Sequence, residues 1–108
     1  MEFNAVIQKA LQVREKYAQL EKQTYGKEWT KEQIAQGFVG DVGDLLKIIM
    51  AKEGIRNIEN PNEKLSHELS DCLWAIIVLA DKYGVDLEKS FTDTMEELDK
   101  SITKKLEP

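Results

Sequence analysis

Apolar residues recur three and four positions apart along almost the whole chain, and nowhere do they alternate as in a half-buried strand. This periodicity confines the chain to an all-α fold. Only Pro61 and Pro108 could interrupt a helix. The first helix is expected from about Phe3 to Thr24, with Phe3, Val6, Ile7, Ala10, Leu11, Val13, Tyr17 and Leu20 at helical spacing and Gly26 as its stop. Thr30 and Gln33 read as a capping box that opens a second helix to about Lys52. Asn60 as cap, Pro61 at the first helical position and Glu63 as box partner open a third, ending at Tyr83 against Gly84. Asp86 caps a fourth, whose stripe is Leu87, Phe91, Met95, Leu98 and Ile102. Four helices with short connections predict a four-helix bundle of antiparallel neighbours. No linker or repeat divides residues 1–108, so one domain is expected.

The second and third helices are apolar nearly all round. Phe38, Val39, Val42, Leu45, Leu46, Ile48, Ile49 and Met50 crowd one; Leu65, Leu69, Leu73, Trp74, Ile76, Ile77 and Val78 crowd the other. A helix in a lone bundle keeps a wet face. The excess predicts a homo-oligomer, a dimer or tetramer, with these two helices near the interface.

Charge narrows the partners. Twenty acidic against fifteen basic residues give a net charge of −5, which argues against a non-specific grip on nucleic acid. Membrane association would need a basic amphipathic face or a long apolar span; the run from Cys72 to Ala80 is too short to cross a bilayer. A single cysteine excludes an intrachain disulfide framework, and the first residues lack a basic segment followed by an apolar run. Both fit a cytoplasmic setting.

Two acidic pairs carry the chemistry. Asp41 and Asp44 stand three apart in the second helix; Glu68 and Asp71 stand three apart in the third. That spacing puts both members of a pair on one side of a turn. Each pair continues into an apolar line, Ile48 and Ala51 in one helix, Ala75 and Val78 in the other. Facing one another, such groups repel by about 4 kcal/mol per pair at 4 Å and an effective dielectric of ~20, with desolvation added. Retained protons or a cation must relieve this. An all-oxygen set suits Mg²⁺, with Mn²⁺ as an alternative, and no second His or Cys set suggests zinc. The plain alternative is four ordinary acidic residues on wet helix faces.

At these residues the chain resembles the MazG-like all-α nucleoside triphosphate pyrophosphohydrolases. That family carries E-x-x-E followed by E-x-x-D on adjacent helices. Gly37-Phe38-Val39-Gly40-Asp41-Val42-Gly43-Asp44-Leu45 resembles the first motif region, and Glu68-Leu69-Ser70-Asp71-Cys72-Leu73 the second. The stretch from Leu79 to Leu87 resembles the turn that follows, and the likeness runs from about Trp29 to Lys100. The resemblance implies Mg²⁺-dependent cleavage of a nucleoside triphosphate between its α- and β-phosphates, giving monophosphate and pyrophosphate, with nucleotide-pool house-cleaning as a role. Asp41, Asp44, Glu68 and Asp71 would be metal ligands, Glu68 and Asp71 also the catalytic pair. Two departures stand out. The first motif has Asp for Glu, a methylene shorter, for which close approach at Gly37, Gly40 and Gly43 could compensate. The Lys and Asn that many members carry on the last helix are absent from Asp93 to Asp99.

Phosphate contacts would then come from elsewhere. Lys47, Lys52, Lys64 and Lys82 are candidates, of which Lys52 and Lys82 lie nearest the carboxylate stripes, though a solvated lysine is the simpler reading of each. Trp74 could stack a base or pack between subunits. Trp29, in the first connection, could form a base pocket or cover the bundle end. His67 reads as a surface histidine and Cys72 as an inert core thiol. A rival function is a non-catalytic nucleotide- or partner-binding module, and a further one a plain helical oligomerisation domain.

Overall fold

A computed structural model describes residues 2–108. It is all-helical among them: α1 Phe3–Tyr25, α2 Lys31–Lys52, α3 Pro61–Lys82 and α4 Leu87–Leu106. The start and stop signals act largely as read. Gln33 donates its backbone N–H to Thr30 Oγ1 while its side chain accepts from the Thr30 N–H, the reciprocal box that satisfies two otherwise orphaned donors. The Asp86 side chain accepts from the Lys89 N–H. Gly26 and Gly84 take positive φ (82° and 67°) behind α1 and α3, a conformation that costs glycine nothing and other residues a steric penalty.

The start of α3 differs from expectation. Asn60 itself adopts a left-handed conformation (φ 52°, ψ 53°), and its side chain caps nothing. Asparagine tolerates that region, and the turn it makes aims its side chain away from the first N–H groups. Pro61 alone keeps its predicted place at the head of the helix.

The helices α2 and α3 form the main packing pair, running antiparallel so that the end of α2 meets the start of α3. Ile34 and Ile48 from one helix and Cys72, Ala75, Ile77 and Val78 from the other are buried between the layers. Helix α1 lies on α3. Trp74 fixes this crossing: its indole N–H donates to the Ala10 carbonyl (3.0 Å) and its ring tilts against Tyr17 at 5.5 Å. Ala18 gives the close contact a small residue allows.

Helix α4 stands apart. None of its residues is buried; Leu87 at its start lines a cavity with α1 and α3, but beyond it Phe91, Met95, Leu98 and Ile102 are exposed. The molecule is 61 Å long, whereas helices of 20–23 residues are each about 30–35 Å. Periodicity specifies the apolar face of α4 but not what covers it. Three helices pack here, and the fourth extends beyond them.

Among the described residues, no helix is long and apolar enough to cross a membrane.

Candidate metal centre on facing helices

Antiparallel packing brings the two acidic pairs level. One carboxylate oxygen from each of Asp41, Asp44 and Glu68 lies within 4.8 Å of the others, and Glu68, Asp71 and His67 form a second such group. Asp41, Glu68 and Asp71 are half-buried, while Asp44 is exposed. The i, i+3 spacing determined this on each helix; the shared apolar seam of α2 and α3 did the rest.

Burial pushes the Asp41 carboxyl above its ordinary range, and the charges of Asp71 and Asp44 push it further, against a small opposing effect of His67. Burial likewise raises Glu68, assisted by Asp44, Asp71 and Asp41, with His67 again opposing. The Cys72 thiol beneath them is raised by burial and by the charges of Asp41, Glu68 and Asp71, so it stays a protonated core group. The oxygen donors gathered here are those a hard divalent ion prefers, and such an ion would offset their mutual repulsion.

A carboxylate with a raised folded pKa binds its proton more tightly folded than unfolded. Its contribution is present below the ordinary values of 3.8 for Asp41 and 4.5 for Glu68, and is lost as pH rises through the raised folded values. Thermal melts in EDTA should therefore show Tm falling as pH rises above the ordinary value of 4.5 for Glu68. Millimolar Mg²⁺ should restore it most at the higher pH, by up to about 2.7 kcal/mol when the ion is at 100 times its Kd. A Tm that rises over this range in EDTA, unmoved by Mg²⁺, would contradict the assignment.

The remaining sequence candidates fall into two groups. Trp29 and Trp74 do come together. With Arg14, Phe38, Asp41 and Val78 they line a cavity of about 80 Å³ directly beside the cluster. Trp29 also approaches Gly37, where an added Cβ would meet its ring at 3.3 Å. Lys52 and Lys82 are separated. Lys52 donates to Asn62 at the start of α3, and Lys82 lies 4.0 Å from Glu28 at the far end of that helix. The two are about 30 Å apart along α3. The lysine nearest the cluster is Lys47, 4.0 Å from Asp44.

The expected role of Gly40 and Gly43 is not what the structure shows. A Cβ at either would meet nothing within 4 Å, so in the single chain they permit no close approach. Gly37 does so, but toward Trp29.

Two features escaped the sequence reading. His67, though 71 % exposed, places Nε2 3.1 Å from Asp71 Oδ2, an i, i+4 contact its spacing could have signalled. Arg14 and Glu21 form a buried bidentate pair (3.0 and 2.5 Å), and Glu21 also accepts the Trp29 N–H at 2.8 Å. Both charged residues fall in the middle of the apolar stripe of α1, which was the available signal. Burial alone would push Glu21 up. The Arg14 hydrogen bonds, the Trp29 N–H and the charges of Arg14 and Lys82 outweigh it and hold the carboxyl below its ordinary value. This pair anchors the wall of the small cavity that carries Arg14 and Trp29.

A scan against protein-family models finds no match to the chain, and searches of curated proteins and of solved structures find none either.

Proposed function

We propose that the protein is a Mg²⁺-dependent nucleoside triphosphate pyrophosphohydrolase, working as a homo-oligomer. It cleaves between the α- and β-phosphates to release monophosphate and pyrophosphate, in keeping with a house-cleaning role on nucleotide pools. The observation that carries this reading is the convergence of Asp41, Asp44 and Glu68 within 4.8 Å, with Asp71 at hand, on two packed helices. The sequence resemblance to the MazG-like family gives the reaction its name.

In this reading Asp41, Asp44, Glu68 and Asp71 hold the cation. When bound, Mg²⁺ neutralises phosphate charge and polarises phosphorus, a task a chain of net charge −5 cannot perform with carboxylates alone. Glu68 and Asp71 act as the catalytic pair, orienting the attacking water and accepting its proton. Partial burial of Glu68 raises its basicity for that task. His67 steadies Asp71 through the 3.1 Å contact. Trp29 and Trp74 present apolar surface beside Asp41 for part of the nucleoside.

A second reading keeps the cation site without turnover, as a nucleotide- or partner-binding module. The engagement of Lys52 with Asn62 and of Lys82 with Glu28 favours it, since neither stands at the cluster.

A product assay decides. The purified protein with Mg²⁺ and a panel of ribo- and deoxynucleoside triphosphates is expected to yield monophosphate and pyrophosphate, with no orthophosphate, and to lose all turnover in EDTA. No turnover across the panel, with Mg²⁺ binding intact, would move the conclusion to the binding module.

A further inference from the structure

Helix α4 is the element least covered within the chain, with no buried residue at all, although α2 and α3 also expose apolar side chains such as Val39, Leu46, Leu69 and Ile76. Phe91, Met95, Leu98 and Ile102 follow one another at steps of four, three and four, a seam of two heptads. Met95 is 41 % exposed and Leu98 56 %. Helices in proteins draw most of their stability from packing an amphipathic face, and the face of α4 finds little to pack against in its own chain.

The surface area says how large that partner is. A compact monomer of 12.4 kDa should expose about 6,100 Å². This chain exposes 8365 Å², an excess of about 2,200 Å². Its radius of gyration is 17.5 Å against about 13 Å for a compact chain of its length. Covering the excess on two chains would bury an area in the class of obligate homodimers, about 2,000–5,000 Å² in total.

The same chain offers a complementary seat. Between α1 and α3 runs a mostly apolar groove of about 400 Å³, lined by Val6, Val13, Leu73 and Trp74, with Lys9 and Asp71 among its polar residues. Exposed lysines of α1, Lys9 and Lys16, stand along that helix, while α4 carries the acidic run Asp93, Glu96, Glu97 and Asp99. Of these lysines only Lys9 lines the groove, beside Asp71, and Asp93 is already paired with Lys89 on α4, so the charge match is that of Lys9 with the surplus acid of Glu96, Glu97 and Asp99.

We infer that α4 docks into the α1–α3 groove of a second copy of this chain, each protomer giving its helix to the other. The contact is isologous and closes as a two-fold dimer. Helix α4 supplies the anchors at i, i+4, i+7 and i+11 that a groove reads from one helical face. Because Asp71 and Trp74 belong to the groove, the partner's helix forms a wall of the acidic cluster. This deepens the self-association in the reading above without depending on the reaction.

Sedimentation velocity on the full chain tests it and reads nothing of turnover. The wild type should sediment as a dimer. Leu98→Glu, on a helix with no intrachain core, and Leu73→Glu, in the groove, should each weaken the dimer by at least about 100-fold and leave monomer. The cooperative melt of α1 to α3 should persist in Leu98→Glu. Lys9→Glu, an exposed change that leaves the core untouched, should weaken the dimer several-fold and flatten its salt dependence. A monomeric wild type would overturn the inference. So would a dimer that survives Leu98→Glu, or one broken by Leu98→Glu but indifferent to both Leu73→Glu and Lys9→Glu, since α4 would then pair with α4.

Discussion

Glu68→Gln should lower kcat by about 1,000-fold, the rate equivalent of about 4 kcal/mol of lost charge stabilisation. The substitution keeps the shape of the side chain and removes one negative charge and one proton acceptor. Its effect on stability runs the other way. Glu68 resists ionisation in the folded chain because of burial and its acidic neighbours. A neutral amide removes that repulsion, so at neutral pH without metal the variant should melt at or above the wild-type temperature. Loss of activity with a raised or unchanged Tm separates a site residue from a structural one. Wild-type turnover in this variant would remove Glu68 from the chemistry.

The largest effect on stability is expected at the opposite wall of the small cavity. Arg14→Met should cost about 3–5 kcal/mol, the range found when one partner of a buried ion pair is removed. The side chains of Arg14 and Glu21 are only 10 % and 11 % exposed, so Glu21 would be left charged and largely dry. Against a total stability of about 5–15 kcal/mol for a domain, that is enough to unfold a marginal chain. The double variant Arg14→Met with Glu21→Gln should recover most of the loss, because the amide oxygen still accepts the Trp29 N–H now held by Glu21. The loss in the single variant should also shrink as pH falls and Glu21 takes up a proton. Urea titrations of Arg14→Met, Glu21→Gln and the double variant against wild type measure the coupling directly. Equal losses in the single and double variants would show that the guanidinium serves packing rather than charge.

What the sequence revealed depended on how local the cause was. Thr30 with Gln33, Gly26, Gly84 and Asp86 act on backbone groups within a few residues, and all four did as read. Asn60 did not, because its own left-handed turn, set by the connection from α2, carries its side chain out of capping range. The acidic pairs are visible because i, i+3 spacing fixes a face; that they meet at one height comes from the register of α2 against α3, which spacing within either helix does not encode. Arg14 and Glu21 were overlooked because the stripe of α1 was read through its apolar members, although the charged pair occupies its centre. The separation of Lys52 from Lys82 was hidden because a helical wheel gives angle and discards axial distance. For α4, periodicity named the residues that seek cover; the covering surface is a property of another element, and no spacing within the helix encodes it.

The central claim is that Asp41, Asp44, Glu68 and Asp71 form one divalent-cation site, and calorimetric titration of the apo protein with Mg²⁺ at neutral pH tests it most directly. The account predicts saturable binding that weakens as pH is lowered, because burial and neighbouring charge make Asp41 and Glu68 hold their protons more tightly than free carboxyls do. It also predicts that Glu68→Gln abolishes this heat. No saturable binding, or binding identical in that variant, would contradict the assignment and leave the four carboxylates as acidic residues that merely share a helix seam.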